Sequence, residues 1–289
     1  MAKIIDGKAV AASVKADVAA KVSALKDKGI QVGLAVVIVG DDPASQIYVR
    51  NKKIACEACG IYSAEYALPA STTEAELISL VEELNNDKKI SGILVQMPLP
   101  KGIDSHKVIA AIAPEKDVDA FTHTSVGRLM VGDYSFLPCT PAGIIELINS
   151  TGVEIAGKNC VVIGRSNIVG KPMAMLLINK QATVTVCNSK TKNMKDICRT
   201  ADILISAAGH TNVVTADMVK PGAVVIDVGM NRDENGKLCG DVAYDEVSEV
   251  AGYITPVPGG VGPMTIAMLM KNTLRAAMLQ NDLLVKEDL

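Results

Sequence analysis

Short apolar segments alternate with amphipathic helical patterns along most of this 289-residue chain. The apolar segments 33–40 and 91–96, for example, are separated by two helical patterns. Each strand-and-helix unit is about 30 residues long, the usual length of a βαβ unit. Because parallel strands need such crossovers, the alternation predicts a parallel sheet covered by helices on both faces.

Capping residues mark where the first three helices begin and end. Asp6 can cap an Ala-rich helix that ends at Gly29, and Asp42-Pro43 opens a second helix that closes at Gly60. A capping box opens the third helix, either Ser71 with Glu74 or Thr73 with Glu76.

The length of the chain and a second start of the pattern predict two domains. With 49% hydrophobic residues, the chain can bury one large core or two medium ones. The alternation restarts near "LPCTP" (137–141), where a nucleotide-binding unit begins. We expect an α/β fold of two α/β domains with a cleft between them, the second a Rossmann-like, doubly wound, mostly parallel sheet. The first domain is predicted at 1–138 and is completed by a C-terminal helix at about 264–289. The second domain is predicted at 139–263.

Composition disfavours several classes of function. The net charge is −3, there is no Trp, and only two Phe are present, so base-stacking surfaces for nucleic acid are scarce. No apolar run approaches the roughly 18 residues that span a bilayer, and the N-terminus lacks the order of a secretory signal. Seven scattered cysteines are typical of reduced thiols. We therefore expect a soluble cytoplasmic protein that binds neither nucleic acid nor membrane.

A metal site is also not expected. Only Cys56 and Cys59 have metal-like spacing, no second pair accompanies them, and the three histidines are far apart in sequence. The two thiols are better explained as small apolar packing groups.

The stretch "VVIGRSNIVGKP" (161–172) reads as a buried strand, a glycine turn and a helix, which is where α/β proteins hold a dinucleotide. The Gly-x-Gly-x-x-Gly fingerprint is missing, because Arg165 and Ser166 follow Gly164. The next strand ends in Ser189 and Lys190 without the acidic residue that would hold the ribose of NAD. An arginine fork, a hydroxyl and an ammonium suit the 2′-phosphate of NADP, although a surface arginine and a solvated lysine would leave the same pattern.

In "ASQIYVRNKKIACEACG" (44–60), four residues share one helical face because they are spaced by four, four and three: Tyr48, Lys52, Cys56 and Cys59. Lys52 carries the only charge on that face. Partial desolvation would lower its pKa and make it available for proton transfer, or for stabilising a developing anion. The ordinary alternative is that its stem covers the edge of the core while the ammonium reaches water.

Two further polar positions lie where an open parallel sheet binds ligands. Gln96 directly follows the apolar strand "GILV", and the loop "PEKDVDAF" carries Asp117 and Asp119, either of which could be directed into that crevice. Each could also be a plain loop residue. The stretch "TPVPGGVGPMT" (255–265), with three prolines and three glycines, is either a linker or a wall that brings backbone close to a ligand, and composition alone favours the linker.

Taken together, these segments resemble one family over nearly the whole chain. The matching motifs, in order, are "YVRNKK", "GILVQMPLP", "KDVDAF", "PCTPAGI", "VVIGRSNIVGKP", "TVTVCNSKT", "VVIDVGMNR" and "TPVPGGVGPMT". They are similar to the bifunctional methylenetetrahydrofolate dehydrogenases/methenyltetrahydrofolate cyclohydrolases, and the last motif is highly specific.

The resemblance implies two reversible reactions in one active site. The first is NADP-dependent oxidation of 5,10-methylenetetrahydrofolate to the methenyl cation. The second is hydrolysis of that cation to 10-formyltetrahydrofolate. Tetrahydrofolate one-carbon derivatives would be the ligands and a homodimer the expected assembly.

The resemblance also implies a role for each matching residue. Lys52 matches the catalytic lysine, with Tyr48 and Gln96 as its partners, and Asp119 matches the pterin-binding aspartate. The stretch from Pro258 to Gly262 would border the folate and the nicotinamide, which overrides the linker interpretation; its residues are Pro258, Gly259, Gly260, Val261 and Gly262. The cofactor positions are Gly164, Arg165, Ser166, Ser189 and Met230.

Some residues depart from the family pattern. Ala120 stands where "DGF" usually places glycine, and "THTSVGRL" and "SAAGHTN" differ from the commoner forms. Three alternatives stay open: a dehydrogenase-only member, another two-domain NADP-dependent dehydrogenase of the shikimate type, and a non-catalytic nucleotide-binding regulator.

Overall fold

The computed structural model describes residues 1–284, which form two compact units. The six-stranded unit contains Met1–Ala11 and Thr140–Thr265, and the three-stranded unit contains Ala12–Cys139 and the described residues from Ile266 onward. Each unit has its own hydrophobic core. The two predicted α/β domains are confirmed. Residues 285–289 of the predicted C-terminal helix lie outside the described residues.

Strands and helices alternate along most of the chain, as the sequence predicts, but the strand at 62–68 was not predicted and three helices follow one another between 105 and 150. The strands are β1 (Lys3–Ile4), β2 (Gly33–Val39), β3 (Tyr62–Leu68), β4 (Gly92–Val95), β5 (Asn159–Ile163), β6 (Thr183–Cys187), β7 (Ile203–Ser206), β8 (Val224–Asp227), β9 (Asn231–Arg232), β10 (Leu238–Cys239) and β11 (Tyr253–Ile254). The helices are α1 (Gly7–Lys26), α2 (Pro43–Cys59), α3 (Glu74–Asn86), α4 (Ser105–Ala111), α5 (His123–Val131), α6 (Cys139–Ser150), α7 (Gly170–Asn179), α8 (Met194–Cys198), α9 (Tyr244–Ser248) and α10 (Val261–Gln280), with a 3-10 turn at Ala216–Met218.

Both main sheets are parallel. The three-stranded sheet has the order β3-β2-β4, and the six-stranded sheet has the order β1-β11-β8-β7-β5-β6. All seven residues of the central strand β2 are buried, which explains its uninterrupted apolar sequence. The carboxyl ends of parallel strands lie at one edge of a sheet, so the loops after β5, β6, β7, β8 and β11 share an edge.

Side-chain caps fix where the first three helices begin. Asp6 Oδ1 accepts hydrogen bonds from the N–H groups of Lys8 and Ala9, and Asp42 accepts from Ser45 N. Of the two predicted capping boxes, the one between Thr73 and Glu76 forms. Local capping chemistry therefore sets where these helices begin.

The first residues of the chain depart from the predicted domain division. The sequence assigns residues 1–138 to one domain, whereas residues 1–11 belong to the six-stranded unit. The reason is that β1 pairs in parallel with β11, through hydrogen bonds such as Ile5 N to Ile254 O at 2.8 Å.

Within residues 1–284, helices of sufficient length and apolarity to cross a bilayer are absent.

Candidate active site

Helix α2 places Lys52 on a face that is otherwise apolar. Cys56 and Cys59, one and two turns after it, are buried, and Tyr48, one turn before it, is 37% exposed. Burial lowers the pKa of Lys52 and raises the pKa of the Tyr48 hydroxyl. Asp42 and Gly60 cap the two ends of the helix. The predicted lysine therefore lies in a partly desolvated environment, and its ammonium does not simply reach water.

Gln96 directly contacts this lysine. Lys52 Nζ donates a hydrogen bond to Gln96 Oε1 at 2.7 Å, and Gln96 Nε2 donates to Met97 O at 2.7 Å. Because the carbonyl of Met97 can only accept, the amide must present its oxygen to the lysine. Gln96 lies just past the carboxyl end of β4, where its N–H donates to Val37 O. The sheet thus fixes the position of the residue that holds Lys52.

The two aspartates between which the loop pattern did not choose have different environments. Asp117 is fully buried, and its carboxylate accepts hydrogen bonds from Phe121 N, Thr122 N and Ser125 Oγ, which tie it to the start of α5. Asp119 is partly exposed and acts electrostatically on Lys52. Asp119 is therefore the carboxylate of this loop that is near Lys52.

Burial and mutual attraction oppose each other in this pair. Desolvation lowers the pKa of Lys52, and the negative charge of Asp119 partly opposes that effect. Desolvation likewise raises the pKa of Asp119, and Lys52 partly opposes it. Lys52 can therefore lose a proton, and Asp119 can gain one, at a pH closer to neutral than the same groups would in water. The arrangement suits a proton transfer between a ligand and Lys52.

Two residues that the sequence did not single out as functional complete this cluster. The thiol of Cys139 is buried beside Asp119. Desolvation, and to a lesser extent the negative charge of Asp119, raises the pKa of this thiol well above its usual value. Asn272 Nδ2 donates to Val118 O and Leu137 O, both at 2.8 Å. It lies 154 residues from Val118 in sequence, so local pattern could not reveal the contact. Cys139 lies in "PCTPAGI", one of the motifs that match the family, but the match assigned no role to its thiol.

The remaining predicted residues all belong to the six-stranded unit, at the carboxyl edge of its sheet. Gly164 has φ +124°, and a Cβ there would overlap Ala207 O. A Cβ at Gly170 would overlap Gly164 O. These two glycines give the tight turn and the close helix packing that the missing Gly-x-Gly pattern usually supplies. A dinucleotide turn therefore exists here without the usual fingerprint.

Strand register brings Arg165 and Ser189 to equivalent positions. Ile163 of β5 pairs with Cys187 of β6, and Gly164 N donates to Cys187 O at 2.8 Å. Arg165 and Ser189 each lie two residues beyond that pair, and both are exposed. A guanidinium and a hydroxyl at one sheet edge are chemically suited to a phosphate group.

The N-terminus of α7 and the end of β8 supply the other predicted cofactor positions. Ser166 Oγ accepts hydrogen bonds from Val169 N at 3.2 Å and Gly170 N at 3.3 Å. Ser166 thus holds the N–H groups that open α7, and the positive end of the helix dipole at this position favours a phosphate. Met230, after β8, is 54% exposed. The donor set and the two glycines without room for a side chain fit a bound dinucleotide.

The proline and glycine stretch is an ordered turn between β11 and α10. Gly259 has φ +107°, and a Cβ at Gly260 would lie 2.7 Å from Pro256 O. Helix α1 begins against this turn, because a Cβ at Gly7 would overlap Gly260 O. Gly262 differs, since a Cβ there meets nothing within 4 Å. The chain itself therefore explains the glycines at 259 and 260 and leaves the one at 262 without a steric reason.

Within residues 1–284, groups of three or more metal-binding side chains are absent. Cys56 and Cys59 are both buried as free thiols. Desolvation raises the pKa of Cys56 to about 12 and also raises that of Cys59, so neither thiol ionises readily. Packing is the role that these contacts support.

Two family models match the chain. The tetrahydrofolate dehydrogenase/cyclohydrolase catalytic domain matches residues 5–119, and the NAD(P)-binding domain of the same family matches residues 138–281. The bifunctional protein FolD of Ruminiclostridium cellulolyticum is 60% identical over 282 residues, covering 98% of this chain and 99% of that protein.

Solved structures agree with these matches. The bifunctional FolD methylenetetrahydrofolate dehydrogenase/cyclohydrolase of Campylobacter jejuni superposes with a TM-score of 0.95 at 50% identity, covering 97% of this chain and 100% of that one. The methylenetetrahydrofolate dehydrogenase-cyclohydrolase of Trypanosoma brucei, solved with NADP and an inhibitor, has a TM-score of 0.92 at 42% identity. This superposition covers 97% of the present chain and 98% of the Trypanosoma brucei chain.

Proposed function

The chain belongs to the tetrahydrofolate dehydrogenase/cyclohydrolase family, and we propose that it oxidises 5,10-methylenetetrahydrofolate with NADP+ and hydrolyses the methenyl product to 10-formyltetrahydrofolate. The observation that carries this proposal is the Lys52–Gln96 hydrogen bond beside Asp119, on a helix face that otherwise lacks charge. A spectroscopic assay tests it directly. Methenyl product should form from methylenetetrahydrofolate with NADP+ and then decay, and a flat trace would contradict the proposal.

The oxidation asks mainly for positioning. NADP+, when bound, supplies the hydride acceptor, so the residues of the chain must hold the folate and exclude competing reactions. The carboxylate of Asp119 can accept both donors on the amino edge of the pterin. The turn from Pro258 to Gly262 presents backbone without bulky side chains. We assign these residues to folate binding in both reactions.

The hydrolysis needs a group that moves a proton. Water must add to the methenyl carbon, and one proton must then move from oxygen to nitrogen. A fixed cation would repel the cationic substrate, whereas a lysine with a lowered pKa can be neutral when the substrate binds. A neutral Lys52 still donates one N–H to Gln96, which leaves its lone pair free to accept the proton from water. Tyr48, one turn away, is assigned as its partner.

Replacing Arg165 with alanine is expected to weaken NADP+ binding selectively. Loss of one charge-assisted hydrogen bond to the 2′-phosphate costs roughly 1.5 to 3 kcal/mol. Because NAD+ lacks that phosphate, its weaker binding should change little. Steady-state kinetics with both cofactors measure the ratio.

Arg199→Ala supplies the matched control, because it removes an exposed arginine of the same unit away from the turn after β5. It should leave the ratio of NADP+ to NAD+ use unchanged. An equal loss with both cofactors in the Arg165 variant would contradict the phosphate assignment.

Replacing Gly262 with alanine is expected to separate stability from activity. Its Cβ meets nothing within 4 Å, and it lies in the first turn of α10, so alanine should stabilise the helix by up to about 1 kcal/mol. If folate approaches the backbone here, the added methyl group should raise the KM for folate by about tenfold or more. Thermal unfolding and steady-state kinetics measure the two effects.

Gly260→Ala provides the contrast. Its Cβ would lie 2.8 Å from Thr255 Cβ, so this variant should lose stability and activity together. Normal folate kinetics in a stable Gly262 variant would remove residue 262 from the proposed site.

The other candidate functions make different predictions. A dehydrogenase-only member would accumulate methenyl product without accelerating its decay, and a shikimate-type enzyme would not turn over a folate. A non-catalytic regulator would bind NADP(H) tightly without turnover. Family membership favours none of the three.

We further propose an assembly and a location for the chain. We expect a homodimer in the cytoplasm, from family resemblance and the reduced state suggested by seven free cysteines. Light scattering coupled to size-exclusion chromatography should give twice the chain mass of 30.3 kDa.

A further inference from the structure

Two buried aspartates in the six-stranded unit lie outside the residues assigned to folate and cofactor binding. Asp227 ends β8 and is 2% exposed, and Asp241 follows β10 and is fully buried. Burying two carboxylates side by side is costly unless each is well hydrogen-bonded. Apolar residues of similar size would often give greater stability. The pair therefore calls for an explanation beyond stability.

The carboxylate of Asp241 holds the end of β7 in place. Its Oδ2 accepts from Ser206 Oγ at 3.0 Å, Ala208 N at 2.7 Å and Gly209 N at 3.2 Å. Its Oδ1 accepts from Asn231 Nδ2 at 2.9 Å. One side chain thus fixes the turn after β7 and the residue that follows Met230.

Asp227 in turn fixes Asp241. Asp227 Oδ1 accepts from Asp241 N and Gly229 N, both at 2.9 Å, and Oδ2 accepts from Val242 N at 3.0 Å. A Cβ at Gly229 would overlap Asp241 Oδ1, and a Cβ at Gly240 would overlap Asp227 Oδ2. Burial raises the pKa of Asp227 to about 6, against the effect of these N–H donors. The backbone is packed directly onto the two carboxylates, so neither can shift without moving a loop.

The strand order shows which part of a dinucleotide these loops face. The chain runs from β5 to β6 at the sheet edge and then crosses to β7 on the other side of β5. In a doubly wound sheet, a dinucleotide lies across this switch point, with one half on each side. The side with Arg165 and Ser189 suits the phosphorylated adenosine half. The β7 and β8 loops, which Asp241 fixes, then face the nicotinamide half.

We propose that Asp241 is a positioning residue for the nicotinamide half of NADP+, which it orients through the turn after β7 and through Asn231. Asp227 supports it by holding its backbone N–H. This inference rests on the proposed function, because it assumes that NADP+ is the cofactor.

Asp241→Asn tests the proposal with two ligands. The asparagine NH2 group would face N–H or O–H donors that the carboxylate now accepts, so the loops must rearrange. Calorimetry should give wild-type affinity for adenosine 2′,5′-bisphosphate, which carries only the adenosine half. The KM for NADP+ should rise, or the hydride-transfer rate fall, by about tenfold or more. Hydrolysis of methenyltetrahydrofolate without cofactor should stay within about twofold of wild type.

Two further variants keep the test decisive. Asp202→Asn removes a carboxylate just before β7, at the opposite end of that strand, where it accepts from Asn159 N and Lys220 Nζ. It should leave all three measurements unchanged. Asn231→Ala removes one donor to Asp241 without placing a new donor in the interior, and should raise the KM for NADP+ several-fold with normal binding of the bisphosphate. It decides the matter if Asp241→Asn does not fold.

Three outcomes would overturn the proposal. Wild-type NADP+ kinetics in Asp241→Asn and Asn231→Ala would do so. Equal losses of bisphosphate binding, oxidation and hydrolysis would also do so, because they would indicate a general structural role. If the wild-type enzyme itself failed to oxidise methylenetetrahydrofolate with NADP+, the proposed function would fall first, and this inference with it.

Discussion

Replacing Lys52 with methionine is expected to reduce the hydrolysis of methenyltetrahydrofolate by a factor on the order of 10² to 10⁴, the usual contribution of a positioned acid or base. Oxidation of methylenetetrahydrofolate should remain measurable, because that step depends on positioning and requires no proton transfer by the protein. Methionine keeps the length of the stem, with sulfur in place of one methylene, and loses the amine. Rates of methenyl formation and decay, followed separately, measure the two effects.

The fold should tolerate this change. Lys52 is partly desolvated and its pKa is lowered, so its removal saves the cost of burying an ammonium, which offsets the hydrogen bond that Gln96 Oε1 loses. Asp119 would lose the positive charge that counteracts the rise in its pKa, and would become protonated more readily. We therefore expect a thermal midpoint close to that of the wild-type enzyme.

Two controls separate proton transfer from charge. Lys52→Arg keeps a positive charge that cannot be lost, so it should fail in hydrolysis almost as fully as methionine. Lys53→Met removes the neighbouring exposed lysine on α2 and should change neither rate. In the wild-type enzyme, the hydrolysis rate should rise with pH through the lowered pKa of Lys52, since the neutral amine is the active form. A normal hydrolysis rate in the methionine variant would refute the assigned role.

Sequence predicted the parts of this site that depend on local rules. The helical spacing identified the face of Lys52, and the position after a buried strand identified Gln96. Their direct contact at 2.7 Å depends on how α2 packs against the sheet, which spacing along one helix does not determine. The sequence also showed that the Gly-x-Gly pattern is absent. That Gly164 and Gly170 supply the tight turn and the close helix packing in its place appears only in the folded strand, turn and helix.

Long-range contacts set the remainder. The loop pattern left Asp117 and Asp119 as equal candidates and only the family resemblance chose Asp119, whereas the hydrogen bonds of Asp117 to the start of α5 separate the two directly. Strand β1 is two residues long and exposed, so its pairing with β11 leaves no apolar pattern. Asn272 reaches across 154 residues, and Asp241 joins segments up to 35 residues away. Such contacts connect elements that only the tertiary fold brings together.

Replacing Asp119 with asparagine is expected to impair both reactions, because we propose that one folate-binding group serves both. The amide can accept one of the two pterin donors and presents its own NH2 to the other. Loss of one or both charge-assisted hydrogen bonds, at about 1.5 to 3 kcal/mol each, should raise the KM for folate by roughly 10-fold to 100-fold or more. NADP+ binding, measured by calorimetry without folate, should stay unchanged.

The pH dependence adds a signature that a general loss of structure would not give. In the wild-type enzyme the KM for folate should rise as pH falls through the raised pKa of Asp119, because the protonated acid accepts the pterin donors poorly. Asparagine removes that dependence. It should also lower the pKa of Lys52 further, since Asp119 is the largest influence that raises it, and so move the pH profile of the residual hydrolysis to lower pH.

Asp117→Asn is the matched control, two residues away in the same loop. Its carboxylate accepts from Phe121 N, Thr122 N and Ser125 Oγ, so this change should cost about 1 to 3 kcal/mol of stability by releasing the start of α5. It should leave the pH profile of Lys52 in the folded fraction close to that of the wild-type enzyme. Normal folate affinity in the Asp119 variant, with a displaced pH profile in the Asp117 variant, would mean that the pterin-binding carboxylate is the other member of the pair. The two variants therefore assign the substrate carboxylate by measurement, independently of family resemblance.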